Sequence, residues 1–87
     1  MSYWNYRVLY SRDPKSDVES FEVHEVYYTD DGEIEAWTEH SVKPFGESLE
    51  ELQADIEHFL RGARLPPLAI VEVAGKEKLV EIDRHPD

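Results

Sequence analysis

The sequence has 87 residues, with 9 Lys and Arg against 20 Asp and Glu, a formal net charge of −11 and no cysteine. This length suffices for one small hydrophobic core, so we expect a single domain over residues 1–87 with its core in 3–83. Without cysteine the chain forms no disulfide and binds no metal through thiolates. The charge disfavours direct binding to nucleic acid and to anionic membranes, because both attract Lys and Arg.

Three strands are predicted in the first half of the chain. Residues 3–10 are rich in aromatic and β-branched side chains, and a second strand over 21–29 follows a loop that contains Pro14. Asp31-Gly32 favours a hairpin, because glycine accepts the positive φ of such turns. The third strand, 33–39, alternates in polarity. We expect Ile34, Ala36 and Thr38 on one of its faces and Glu33, Glu35, Trp37 and Glu39 on the other.

The most regular pattern predicts a helix over Leu49–Arg61. Ser48 and Glu51 have the spacing of a capping box at its start. Gly62 is expected to cap its end, and the two prolines that follow at 66–67 prevent its continuation. Apolar residues recur at helical spacing on one face, which we expect to be buried against the sheet. They are Leu49, Leu52, Ile56, Phe59, Leu60 and Ala63.

The remaining residues predict one or two more strands. Residues 68–73 form a nearly continuous apolar run, which is typical of a strand buried on both faces. We expect a turn at 74–76, a fifth strand at 78–83 that pairs within the chain or with another copy, and a frayed end at 84–87. The predicted fold is therefore α+β, an antiparallel β-β-β-α-β(-β) arrangement with one amphipathic helix packed on one sheet face.

The pattern indicates no catalytic residue, no metal site and no cofactor. A ribonuclease H-like nuclease needs metal-binding carboxylates, one of them in the first strand, and residues 3–10 contain no Asp or Glu. Residues 30–33 lack the distal ligands of a calcium loop, and a hairpin turn explains them. No histidine has metal-ligand spacing, and we interpret all four as structural or surface residues. They are His24, His40, His58 and His85.

The segment Phe45-Gly46-Glu47-Ser48-Leu49-Glu50-Glu51 and the hairpin at 30–32 resemble the partial ribonuclease H-like domain of the HicB antitoxins. In that family a three-stranded antiparallel meander leads into a turn with glycine, and a helix then opens with Ser or Asp followed by Glu-Glu. The likeness covers about residues 7–68, and the family's appended DNA-binding domain has no counterpart here. The stretches at 4–8, 24–28 and 37–39 also resemble a group of short, uncharacterised bacterial proteins.

The resemblance implies a protein that binds and neutralises a basic, RNA-cleaving toxin. Independently of the resemblance, the sequence has nine acidic residues and no Lys or Arg from Asp17 to Val42. Such a surface either keeps a small protein soluble or docks a basic partner. An exposed aromatic residue among acids favours docking, which makes Trp37, Glu33, Glu35 and Glu39 the candidate partner-binding residues. The absence of a targeting or membrane-spanning segment also predicts a cytoplasmic location.

Our preferred interpretation is a non-enzymatic protein-interaction module without a DNA-binding domain. Self-association of this module through an exposed strand edge stays open, since unpaired edges are templates for pairing. Two alternatives also stay open on the sequence alone. One is a small-molecule-binding domain with a pocket between sheet and helix. The other is an enzyme subunit or minimal hydrolase built on the carboxylates, which would require raised carboxyl pKa values in one cleft.

Overall fold

The computed structural model describes residues 3–82, which form one five-stranded sheet and one helix of the predicted α+β class. The sheet order is β3-β2-β1-β4-β5. The predicted frayed end at 84–87 lies outside the described residues. The elements are β1 Tyr3–Arg12, β2 Glu19–Tyr28, β3 Ile34–Trp37, α1 Leu49–Ala63, β4 Leu68–Val73 and β5 Lys76–Glu81.

The sheet is mixed, so the prediction of an antiparallel sheet was wrong for one pair of strands. β1, β2 and β3 form the expected antiparallel meander, and β4 and β5 form an antiparallel hairpin. β4, however, runs parallel to β1, with Leu68 beside Leu9 and Ala69 beside Tyr10. The cause is the crossover: the chain leaves the meander at one edge, passes through α1 and returns on the other side of β1, in the same direction.

α1 begins as predicted but extends beyond its predicted end. The Ser48 hydroxyl accepts a hydrogen bond from the Glu51 backbone N–H at 3.1 Å. Gly62, expected to be the cap, lies inside the helix and is buried, and Arg64 is the C-cap residue. A Cβ on Gly62 would stand 2.3 Å from the Tyr6 carbonyl oxygen. The glycine is therefore needed for close approach of helix and strand, not for a left-handed cap.

The predicted faces of the third strand were wrong, because Ile34 and Trp37, which were expected on opposite faces, lie on the same one. Ala36 lies opposite Tyr27 but Ile34 lies opposite Tyr28, so the register shifts by one residue between these pairs. Such a bulge breaks the alternation of side chains. As a result Ile34 and Trp37 both pack against the core, and Trp37 is half-buried.

The most buried side chains lie on the sheet face that α1 does not cover. Alternation along β1 puts Tyr6 under the helix and Leu9 on the opposite face. The buried hydrophobic cluster on that opposite face consists of Leu9, Val26, Tyr28, Leu68 and Leu79.

Two expectations about burial were wrong. The apolar stripe of α1 is only partly covered, since Ile56 and Leu60 are about half exposed at 47% and 49%. In β4, Leu68 is buried but Ile70 is exposed, because the strand pairs with β1 only at its start and then continues beside β5 alone. Within residues 3–82, no helix combines the length and apolar character that a membrane span needs.

Candidate functional site: an acid-lined cleft between helix and sheet

Asp55 of α1 joins three parts of the fold. Its Oδ1 accepts a hydrogen bond of 2.8 Å from the Tyr6 hydroxyl on β1. Its Oδ2 accepts one of 2.9 Å from the Phe45 backbone N–H in the segment before the helix. Gly46 allows this close approach, because a Cβ there would lie 2.3 Å from the Leu52 nitrogen. One carboxylate thus holds strand, loop and helix together.

These contacts shift the pKa values of both partners. Burial raises the pKa of the Tyr6 phenol to about 12, and the hydrogen bond to Asp55 adds to this shift. The hydrogen bond from the Phe45 N–H holds the pKa of Asp55 below its usual value, helped by the Tyr6 hydroxyl and the charge of His58. At neutral pH the pair is therefore a neutral phenol donating to an ionised carboxylate.

A cleft of about 810 Å³ opens beside this pair. The segment after β3 forms one wall: it runs along β2, where the Val42 N–H donates to the Val23 carbonyl at 2.8 Å. Asp55 and Tyr6 lie at the junction of helix and sheet, and three carboxylates line the space against one lysine. The lining residues are Tyr6, Glu25, Ser41, Val42, Lys43, Phe45, Glu51, Ala54, Asp55 and His58.

The carboxylates of the cleft are ordered by donors from the protein. Glu25 accepts a hydrogen bond of 2.6 Å from the Tyr27 hydroxyl, which raises the pKa of that phenol. Glu51 accepts one of 3.1 Å from the Glu47 backbone N–H. Each carboxylate keeps lone pairs for a further donor. The arrangement can therefore accept a cationic group that brings several N–H donors, such as a guanidinium or an ammonium.

A second cavity, of about 730 Å³, shares Tyr6, Asp55 and His58 with the first. It lies toward the C-terminal end of α1, where Trp4 and Leu65 contribute apolar surface and Arg61 contributes a positive charge. The pocket between sheet and helix, which was an alternative on the sequence alone, is therefore present as two adjoining cavities.

The residues predicted to bind a partner do not form one aromatic patch. Glu33, Glu35 and Glu39 are exposed at and beyond β3, the edge strand of the sheet. Trp37 lies between them in sequence but packs against Val26 and its neighbours in the core. Two residues after Glu39 the chain reaches Ser41, the first residue of the cleft wall, but the acids of the cleft come from β2 and α1. We call Glu33, Glu35 and Glu39 the acidic edge.

The histidines differ in their surroundings. His24 is buried, and its Nδ1 lies 2.9 Å from the Thr38 carbonyl oxygen, which ties β2 to the segment after β3. His58 and His40 are exposed, and His85 lies outside the described residues. Among residues 3–82, no three His, Asp or Glu side chains converge in a way that could hold a metal ion.

Sequence reasoning missed Asp55 as an organising residue and Arg7 as a buried one. Asp55 belongs to no recognisable sequence motif, and its partners Tyr6 and Phe45 lie 49 and 10 residues away. The only available signal was an acid beside the apolar stripe. Comparison of the chain with protein-family models, with curated proteins and with solved structures gave no match.

Proposed function

We propose that this protein is a non-enzymatic, cytoplasmic interaction module with a HicB antitoxin-like fold, and that it binds a basic protein partner. The observation that carries the proposal is the acid-lined cleft beside the acidic edge, in a chain whose net charge is −11. Opposite charge accelerates encounter and selects against acidic competitors. The partner inserts a Lys or Arg side chain between Glu25, Glu51 and Asp55, and its remaining basic groups face the acidic edge.

The antitoxin-like part of the proposal is supported by the meander β1–β3 and by the entry into α1. The close packing of Gly46 on the first turns of the helix, the Ser48 cap and the acids Glu50 and Glu51 follow the pattern on which the resemblance was based. By that resemblance the partner is a toxin-like, RNA-cleaving protein.

The cleft favours binding over catalysis. A carboxylic general acid requires a pKa raised toward neutrality. The pKa of Asp55 is shifted in the opposite direction, and each of its two oxygens accepts one hydrogen bond, from Tyr6 and from Phe45. These contacts give Asp55 the role of a fixed acceptor, which is suited to recognition of a cation.

Capture from the native host tests the proposal. Immobilised protein should retain a basic protein at low salt and release it near about 0.5 M salt, because screening weakens exposed ion pairs. The double variant Glu33→Gln/Glu35→Gln should reduce capture. The matched variant Glu72→Gln/Glu77→Gln removes the same charge from an exposed cross-strand pair on β4 and β5 and should leave capture unchanged. Retention of RNA, of nothing, or of a protein that both variants bind equally would contradict the proposal.

A second candidate function is binding of a small organic cation, and the 730 Å³ cavity favours it. Aromatic and apolar walls with a few convergent polar groups are typical of small-molecule sites. Here Trp4 and Leu65 supply the walls, and Tyr6 and Asp55 supply the polar groups. A panel of small amines and guanidines should then raise the melting temperature of the wild type and not that of Trp4→Ala. Equal responses of both proteins would rule this candidate out.

A further inference from the structure

The outer flank of α1 is apolar and exposed. Leu49, Ile56 and Leu60 are seven and four residues apart, so they lie on one side of the helix, and they are 65%, 47% and 49% exposed. The opposite flank, which carries Glu51 and His58, lines the cleft on the β2 side. The exposed flank is therefore turned away from β2, toward β4 and β5.

The β4–β5 hairpin presents a second exposed surface on the same side of the sheet. Tyr10 and Ala69 are paired neighbours, so Ala69 and its alternate residues share the face of the sheet on which α1 packs. α1 packs over β1 and to a smaller extent β2, which leaves the hairpin face open. That face carries Ala69, Val71, Val73, Lys76, Lys78 and Val80.

The two surfaces form a step, which we call the trough. Its wall is the flank Leu49, Ile56 and Leu60, and its floor is the hairpin face. A packed helix stands about 10 Å above a sheet, so the step has the depth of one more helix. In the floor Val73 and Val80 are 48% and 39% exposed, and Lys76 and Lys78 are also exposed. The trough thus fits an amphipathic helix whose polar side is acidic.

α1 itself is such a helix. Glu50 and Glu57 lie on its outer surface, beside the apolar flank, and both are exposed. We propose that a second copy of this chain fills the trough, so that each α1 lies between its own β1 and the partner's β4–β5 hairpin. Glu50 and Glu57 of one copy then face Lys76 and Lys78 of the other.

The two-fold arrangement uses both surfaces of each copy. Because helix and trough occur together on every copy, the same contact is made twice in an isologous dimer. The result is three layers: a sheet, two helices side by side, and a second sheet. The basic partner proposed above is repelled by Lys76 and Lys78, so it does not compete for the trough. The cleft and the acidic edge lie on the other flank of α1 and stay open in the dimer.

Sedimentation of the pure protein tests the dimer. We expect the wild type to sediment at twice 10.2 kDa in the concentration range of about 100 µM, and to dissociate on dilution. Ile56→Glu should raise the dissociation constant by at least about tenfold, because it puts a charge into the apolar contact. Val18→Glu introduces the same charge at a residue that is 60% exposed in the β1–β2 loop, and it should leave the dimer intact.

A charge-exchange experiment distinguishes a second copy of this chain from other occupants of the trough. Lys76→Glu/Lys78→Glu should weaken the dimer, and adding Glu50→Lys/Glu57→Lys to the same chain should restore it. Circular dichroism confirms that each variant is folded, and Leu60→Glu replaces Ile56→Glu if the latter is not. A wild type that stays at 10.2 kDa would overturn the proposal. So would a dimer insensitive to Ile56→Glu, which would place the contact at a strand edge, or a charge exchange without recovery. None of these results depends on the basic partner, so either proposal can fail alone.

Discussion

The buried Arg7 shows what a single polar side chain contributes to this fold. Arg7 is 7% exposed, and its guanidinium donates to the Tyr28 hydroxyl at 3.0 Å and to the Pro66 carbonyl at 2.8 Å. Its Nη2 also lies 3.4 Å from Glu81 on β5. Arg7 thereby connects β1 with β2, with the segment before β4 and with β5. A charge can be buried at this position because partners from three other segments surround it.

The Tyr6–Asp55 pair predicts a pH dependence of stability. Because the pKa of Tyr6 is raised to about 12 in the folded protein, the unfolded chain loses this proton first, near pH 10. Above that pH the native state binds more protons than the unfolded state, and stability falls as the pH rises through the folded pKa. At neutral pH, Tyr6→Phe should be about 1 kcal/mol less stable than the wild type, because it lacks the hydrogen bond to Asp55. Between about pH 10 and 12, its free energy of unfolding should fall less than that of the wild type.

Denaturant unfolding of both proteins across this range measures the difference. At the acid end the same variant should raise the pKa of Asp55, because the carboxylate loses a donor to its charged form. The pKa of Asp55 is depressed in the native state, so its contribution is complete above the unfolded value and is lost as the pH falls through the folded one. Parallel stability curves for wild type and Tyr6→Phe above pH 10 would show that this phenol is not coupled to folding.

Single residues mark the limit of what the sequence could predict. Alternation along β1 puts Tyr6 and Arg7 on opposite faces of the sheet. It could not show that Arg7 is buried, because its partners Tyr28, Pro66 and Glu81 lie 21, 59 and 74 residues away. The environment of a polar side chain depends on such long-range contacts, which periodicity does not contain.

At the scale of elements, signals within a few residues were reliable and signals that depend on a neighbour were not. Ser48 and Glu51 determined the start of α1, since an N-cap is local to one turn. The bulge between β2 and β3 was missed, because it is a property of two paired strands, and it brings Ile34 and Trp37 onto the same face, against the core. Gly62 was misread as a cap for the same reason: the feature that requires glycine is Tyr6 on another element.

The contact at Gly62 predicts an inverted effect of alanine. In an exposed helix interior, Gly→Ala stabilises by about 0.5–1 kcal/mol. Gly62→Ala should instead destabilise by about 1–3 kcal/mol, because the added Cβ would lie 2.3 Å from the Tyr6 carbonyl and force the helix away from β1.

Urea unfolding measures the change. Ala63→Gly is the control at the exposed last residue of the helix, where a propensity loss of at most about 1 kcal/mol is expected. Stabilisation by Gly62→Ala would mean that helix and strand are not in close contact.

At the scale of the whole molecule, the sequence predicted the α+β class and the order of elements but not the arrangement of the sheet. Continuous apolar character at 68–73 indicated full burial, yet only Leu68 is buried there. The position of β4 beside β1 depends on where α1 returns the chain, and the sequence pattern does not record that crossover. The acidic composition, by contrast, predicts an acidic surface in any fold, and three carboxylates line the cleft.

The net charge of −11 predicts that salt stabilises the native state. Folding brings like charges closer together, and this repulsion is screened over about 10 Å at 0.1 M ionic strength. We expect the free energy of unfolding to rise by about 1 kcal/mol between about 0.02 and 0.5 M sodium chloride.

Urea unfolding is measured in the Ile56→Glu variant, because the proposed dimer is weakened there and association does not contribute to the measured stability. There Glu33→Gln/Glu35→Gln should reduce the gain, because it removes two exposed charges, whereas Glu33→Asp/Glu35→Asp should not. A stability that falls with added salt would mean that exposed ion pairs such as Arg12–Asp17 outweigh the repulsion among the acids.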